Sequence, residues 1–243
     1  MSGSRCVHGC LQQYLELSRH LSLIDIASSQ SAESAYNATM HSEAEAHLSK
    51  RCAVMRRLVK AHGPCTLVPE KRSPYEALIS AVAHQQLHAN AAEAILRRFK
   101  AHFPGTRFPK PAQVLDADET ALRACGFSSG KLLAIRDIAA KTLSGHIPTR
   151  AAAMKLPDEE LIDRLVEVRG VGRWTVEMLL IFTLGRTDVF PSDDFGVRNG
   201  WRVTKKLDDM PKPKDLRAHA ERWQPHRTLA AWYLWRAADA SKK

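Results

Sequence analysis

Two adjacent carboxylates, Asp193 and Asp194, follow Ser192 at the start of a helical pattern. Acids at a helix start are favoured by the positive end of the dipole and by unpaired backbone N–H groups. They can serve as nothing more than helix starters, with Ser192 as the N-cap. A carboxylate held there in its ionised form can also stabilise positive charge developing on a substrate. Upstream lies a glycine hairpin, Arg169-Gly170-Val171-Gly172. Glycine accepts positive φ and carries no side chain, so backbone N–H groups can approach a phosphate closely. The helix that follows points its dipole at the same anion. Such a unit grips a nucleic-acid backbone without reading its sequence.

The elements that must position these groups read as helices. Leu161 to Val168 is an amphipathic run, and a second apolar run extends from Arg173 to Leu184. The pattern is helix, hairpin, helix, then a loop and the carboxylates. Upstream, residues 42–63 carry Leu48, Met55, Leu58 and Val59 at helical spacing and close on Gly63 and Pro64. Ser73-Pro74-Tyr75-Glu76 has the form of a capping box with Pro at the first helical position. The helix it opens runs into the polar group His84, Gln85, Gln86 and His88, and another helical pattern follows through Phe99. A proline-rich connector, a short helix ending near Cys125 and a turn over 126–130 lead to a helix beginning at Lys131. Beyond Asp194 come a helix through Val197 and Trp201, a basic loop from Lys205 to Lys214, and a final helix with Leu229, Trp232, Tyr233 and Trp235. No segment alternates as a strand would. The spacing predicts an all-α chain.

The first forty residues differ in character. Leu11, Tyr14, Leu15 and Leu21 suit a short amphipathic helix, and the stretch SSQSAESAYNAT is polar and reads as weakly structured. The expected organisation is therefore an N-terminal extension over 1–40 and a helical core over 41–243.

Lys and Arg number 36 against 26 Asp and Glu, a net charge of +10 in 243 residues. That balance favours a polyanionic partner. The five cysteines are odd in number and scattered, which argues against a disulfide framework. Cys6, His8 and Cys10 have no second ligand pair, so no zinc site is expected. No cysteine follows Cys125, which excludes a C-terminal four-cysteine iron–sulfur loop. The apolar runs are too short for a membrane span, and the N-terminus lacks the pattern of a secretion signal. A protein of the cytoplasm, associated with the nucleoid, is the expectation.

Three blocks of the chain, PYEALISAVAHQQLHANAAEAILRRF, GFSSGKLLAIRDIA and LPDEELIDRLVEVRGVGRWTVEMLLIFTLGRTDVFPSDD, together resemble the helix-hairpin-helix DNA glycosylases. Within them the chain is most similar to the alkylpurine branch, 3-methyladenine DNA glycosylase II. The resemblance spans roughly His47 to Ala237. The strand-rich N-terminal domain of some members is not expected here, since nothing before Met40 reads as strands.

The resemblance implies two helical lobes with a cleft between them, into which the target nucleotide rotates. It implies that Asp194, the second acid of the pair, is the catalytic carboxylate and that Asp193 is a cap. It places Trp174, Trp235 and Met178 in the base pocket. Trp174 stands where bifunctional members carry a lysine, and tryptophan forms no Schiff base, so water is the expected nucleophile. Aromatic faces attract the positively charged base of an N-alkylated purine. Gln86 is implied as the side chain that fills the gap left by the flipped nucleotide, with Leu87 as the rival because wedges are normally apolar. His88 would reach the minor groove. Gly170, Gly172, Arg173, Ser128 and Lys131 are expected at the DNA backbone, although a lysine at Lys131 suits solvent equally well. Carbonyls of Val166, Val168 and Val171 are implied as holders of a monovalent cation. No cofactor is expected, and the partner is double-stranded DNA with alkylated bases, bound by a monomer. Two other readings stay open. One is a non-catalytic helix-hairpin-helix DNA-binding module. The other is a glycosylase for deaminated or oxidised bases.

Overall fold

The computed structural model describes residues 30–241, with side chains from residue 41. The short helix expected around Leu11 to Leu21 and the Cys6-His8-Cys10 group lie outside the described residues. Those residues are helical, without strands. They divide into two compact units. One is Glu70–Leu184, and the other joins residues 30–69 to 185–241.

In the second unit, α1 (Gln30–Arg51) and α2 (Ala53–His62) replace the single helix expected over 42–63. The break is at Cys52, whose backbone is extended (φ −148°, ψ 119°). Its N–H still donates to Leu48 O at 2.9 Å and its carbonyl still accepts from Arg56 N at 3.0 Å. The result is a bend with little loss of hydrogen bonding. The bend lets α1 bury Ala44 and Leu48 while α2 buries Val54, Met55 and Leu58. α1 begins inside the polar stretch read as weakly structured, ahead of Met40.

The first unit holds α3 (Pro74–His84), α4 (Ala89–Ala101), α5 (Pro111–Asp116), α6 (Glu119–Ala124), α7 (Ser129–Leu143), α8 (Arg150–Ala153), α9 (Asp158–Leu165) and α10 (Arg173–Leu179). Ser73 caps α3 by accepting from Glu76 N at 3.2 Å. The Glu76 carboxylate pairs with Arg107 at 3.0 Å. α9 opens with Asp158, Glu159 and Glu160 in its first turn, as its sequence leads one to expect. The apolar run after α10 does continue to Leu184, but as a π-helical turn over Leu180–Leu184, with every residue buried. Apolar periodicity does not distinguish this turn from an α-helix.

α11 (Phe195–Lys205), α12 (Pro213–Ala220), a 3₁₀ turn (Glu221–Trp223) and α13 (Arg227–Ala240) complete the second unit. α13 is its central element. Tyr233, Leu234 and Trp235 are fully buried. Tyr233 Oη lies 2.8 Å from Glu45 Oε1 on α1 and 2.9 Å from the Gly63 carbonyl that follows α2. Burial and the Glu45 carboxylate push the Tyr233 phenol well above its ordinary range. The same carboxylate oxygen accepts from Cys65 N at 2.7 Å. One acidic group thus joins α1, the loop after α2 and α13.

α11 and α13 cross with their backbones in contact. A Cβ on Gly200 would stand 1.9 Å from Leu234 O and 2.6 Å from Leu234 C. No side chain fits between the two helices at this point.

Candidate active site

Asp194 is itself the N-cap of α11. Its Oδ1 accepts from Val197 N at 2.8 Å. This corrects the sequence expectation, which gave capping to Ser192 and Asp193. Ser192 is fully buried, and its hydroxyl accepts from Arg217 Nε at 3.1 Å and Nη2 at 2.9 Å. Asp193 is exposed, 3.9 Å from Arg217. The reason is a tight turn ahead of the helix. Ser192 N donates to Phe190 O at 2.8 Å and Asp194 N to Pro191 O at 3.0 Å. The first helical residue is therefore Phe195, and the second acid takes the cap.

The loop before this turn is stapled to the start of α13. Thr228 Oγ1 accepts from Val189 N at 3.0 Å, and Asp188 pairs with Arg227 at 2.8 Å. Asp194 is only 1% exposed. A carboxylate so buried needs donors of its own. The indole of Trp235 supplies one, with Nε1 at 2.8 Å from Asp194 Oδ1. Trp235, expected as a pocket wall, is fully buried, with its indole N–H on the carboxylate. Both groups belong to the second unit.

The hairpin belongs to the first unit. Gly170 has φ +75°, in the left-handed region, and a Cβ there would meet Ala134 Cβ on α7 at 3.2 Å. Gly172 has φ −100° and caps α10, and a Cβ there would meet nothing within 4 Å. Gly170 is thus required by conformation, while Gly172 keeps an exposed helix start bare. Asp137 on α7 accepts from Arg169 N at 2.7 Å and pairs with Lys141 at 3.0 Å. Burial pushes its pKa up, but these partners hold the carboxyl below the usual range. Asp137 was not foreseen as a support of the hairpin, because nothing in its local pattern points 32 residues ahead. Gly170→Val should cost about 1–3 kcal/mol in urea unfolding through backbone strain, with the Ala134 contact adding to it, and should weaken duplex binding. Unchanged melting and binding would count against a strained hairpin.

Arg173 opens α10 with its guanidinium shared between two carboxylates. It meets Glu159 at 2.9 and 2.6 Å and the buried Glu177 at 3.2 Å. Donating to the Glu159 carboxylate is the chief reason its pKa is raised further. Lys131 Nζ donates to the Ala83 carbonyl at 2.7 Å and so caps the C-terminus of α3. Both cations, expected at phosphate, are engaged in holding the fold around the hairpin. Ser128 is exposed and caps α7. Trp174 is half-buried and Met178 buried, one helical turn apart on the same face of α10. Val168 O accepts from Val171 N at 3.0 Å, which leaves that carbonyl a second lone pair. Hard oxygen donors of this type suit a monovalent cation.

Gln86 and His88 are exposed and Leu87 is half-buried in the turn between α3 and α4. Gln86 has φ +60°, uncommon for a residue other than glycine. Gln85, not among the expected site residues, donates from Nε2 to Gly170 O at 2.9 Å. Among the described residues no group of three or more His, Cys, Asp or Glu is placed to hold a metal ion, and no helix is long and apolar enough to cross a membrane.

Residues 79–226 match the family model described as HhH-GPD superfamily base excision DNA repair protein. DNA-3-methyladenine glycosylase 1 of Schizosaccharomyces pombe is 48% identical over 202 residues, covering 82% of this chain and 89% of its own. The solved structure of that organism's 3-methyladenine DNA glycosylase, in complex with abasic DNA, superposes with a TM-score of 0.72 at 48% identity, covering 80% of this chain and 95% of the other. A DNA-3-methyladenine glycosidase from Bacillus halodurans superposes with a TM-score of 0.73 at 30% identity, covering 81% and 88%.

Proposed function

This chain belongs to the HhH-GPD superfamily of base excision DNA repair proteins, and on that premise we propose that it is a monofunctional DNA glycosylase releasing N-alkylated purines, 3-methyladenine and 7-methylguanine foremost. The observation that carries this reading is Asp194, a buried carboxylate fixed at Oδ1 by a backbone N–H and the Trp235 indole. N-alkylation leaves positive charge on the purine, so the base departs with the bonding electrons and needs little acid catalysis. As the N-glycosidic bond breaks, positive charge moves to the sugar. A fixed anion in surroundings of low polarity stabilises that charge and orients the water that attacks the anomeric carbon.

Trp174 offers no amine, so water takes the place of a protein nucleophile and the strand stays intact. Trp174 and Met178 on α10 supply an apolar face for the base, and the indole face favours a cationic one. Backbone N–H groups of the Gly170–Gly172 hairpin and Ser128 engage phosphates of duplex DNA. Carbonyls of Val166, Val168 and Val171 are the donor set for a monovalent cation there. The exposed Gln86 fills the space of the extruded nucleotide, with Leu87 behind it and His88 toward the minor groove. The core responsible extends from residue 41 onward.

Incubation with methylated duplex DNA tests this reading. The expected products are free methylpurines and abasic strands that break only after alkali. Strand breakage without alkali would contradict the assignment of water as nucleophile. Tight, salt-sensitive binding without base release would mark a binding module instead.

A further inference from the structure

The turn that carries Gln86, Leu87 and His88 is braced from three directions within its own unit. Lys131 Nζ holds the Ala83 carbonyl at 2.7 Å just before it. His84 Nε2 lies 3.3 Å from Glu93 on α4, across the turn. Gln85 donates to Gly170 O at 2.9 Å. The donor must be the amide nitrogen, because a carbonyl oxygen would face another carbonyl. Inside the turn Leu87 N bonds His84 O at 3.3 Å, and Gln86 takes its left-handed backbone.

The hairpin is braced by the same helix. Lys131, Ala134 and Asp137 follow one another at three-residue spacing along α7, which places them on one side of the helix. Lys131 holds the end of α3, Ala134 packs against Gly170, and Asp137 accepts from Arg169 N. Gln85 bonds the turn to the hairpin directly. That bond is solvent-exposed, so it adds little to stability. Yet it joins a backbone in an uncommon conformation to a glycine in the same left-handed region.

We propose that Gln85 is a positioning residue that couples phosphate capture at the hairpin to entry of the turn into the duplex, and so promotes extrusion of the damaged nucleotide. It touches no reacting atom. Its amide fixes where Gln86 stands relative to the phosphate held by Gly170 and Gly172. The inference rests on the glycosylase reading above. Once a nucleotide leaves the stack readily, the coupling has little left to do, since extrusion is easiest for a mispaired base.

The test compares single-turnover release of 7-methylguanine placed opposite cytosine and opposite thymine, with 2-aminopurine beside the lesion to report extrusion. Gln85→Met keeps the length of the side chain and removes the donor. The expected result is a loss of about 30-fold on the cytosine-paired substrate, in line with the effect of small misplacement, and a loss within about threefold on the mispair. The fluorescence rise should slow in parallel, and affinity for abasic duplex should stay within about threefold. Gln85→Glu, which sets a carboxylate oxygen against the Gly170 carbonyl, should show the same selective loss and replaces Gln85→Met if that variant melts early. Equal slowing on both substrates, or no slowing on the paired one, overturns the proposal. If wild type releases no base from either substrate, the glycosylase reading itself fails, an outcome separate from the ratio of variant to wild type.

Discussion

Asp194→Asn should leave a folded protein that releases methylpurines about 10³-fold more slowly, the scale on which removing one preorganised electrostatic group acts. The substitution isolates charge. Asparagine caps helices as well as aspartate, and its side-chain oxygen can still accept from Val197 N and Trp235 Nε1, which both donate to Asp194 Oδ1. What disappears is the anion. Removing a charge from a site 1% exposed lifts a desolvation penalty, so the melting temperature should hold or rise while activity collapses. Asp194→Ala behaves differently. It loses the cap, about 0.5–2 kcal/mol, and leaves the indole N–H without this acceptor, about 1–3 kcal/mol. Full activity of Asp194→Asn would show that the carboxylate charge is not what drives cleavage.

Gly200→Ala should destabilise the protein by about 3 kcal/mol or more, beyond the usual range for overpacking. Helix propensity alone argues the other way, because alanine improves on an interior glycine by about 1 kcal/mol. The geometry decides. The new Cβ would lie 1.9 Å from Leu234 O and 3.0 Å from Leu234 Cα. These are main-chain atoms, and no rotamer change removes them. α11 and α13 must separate, and those helices carry Asp194 and Trp235. Urea unfolding and base release measured together should show both losses. A variant as stable as wild type would mean the helices can part without consequence.

Much of this was readable from residue types. Helix, hairpin and helix lie close to where the glycines and apolar spacing put them; Asp194 is singled out only by the resemblance to the helix-hairpin-helix glycosylases, since spacing alone suits a helix start equally well. Three features were not readable, each for a physical reason. Which of Ser192, Asp193 and Asp194 caps α11 depends on the turn from Phe190 to Asp194, a matter of one residue of phase. Gly200 sits in a helical pattern, GVRNGWRV, where glycine reads as a weak helix former. Its need appears only when Leu234, on a helix formed much later in the chain, lies against it. Trp235 reads as one of several aromatics on an apolar helix, and its indole N–H gains meaning only beside Asp194. Lys131 and Arg173 show the converse. Their charges were plain in the sequence, but their partners Ala83, Glu159 and Glu177 were not.

The bare contact between Gly200 and Leu234 has a consequence for the timing of catalysis. Side chains that set a spacing between helices can hop rotamers, and the spacing then fluctuates with them. Here main chain meets main chain, so the distance between the helix that begins at Asp194 and the helix that presents Trp235 does not depend on any rotamer. In the proposed role of Asp194, the dipoles aimed at its carboxylate are in place before a substrate arrives and do not have to reorganise as charge develops on the sugar. The work of arranging them is done once, when the chain folds, and is not repeated at each turnover.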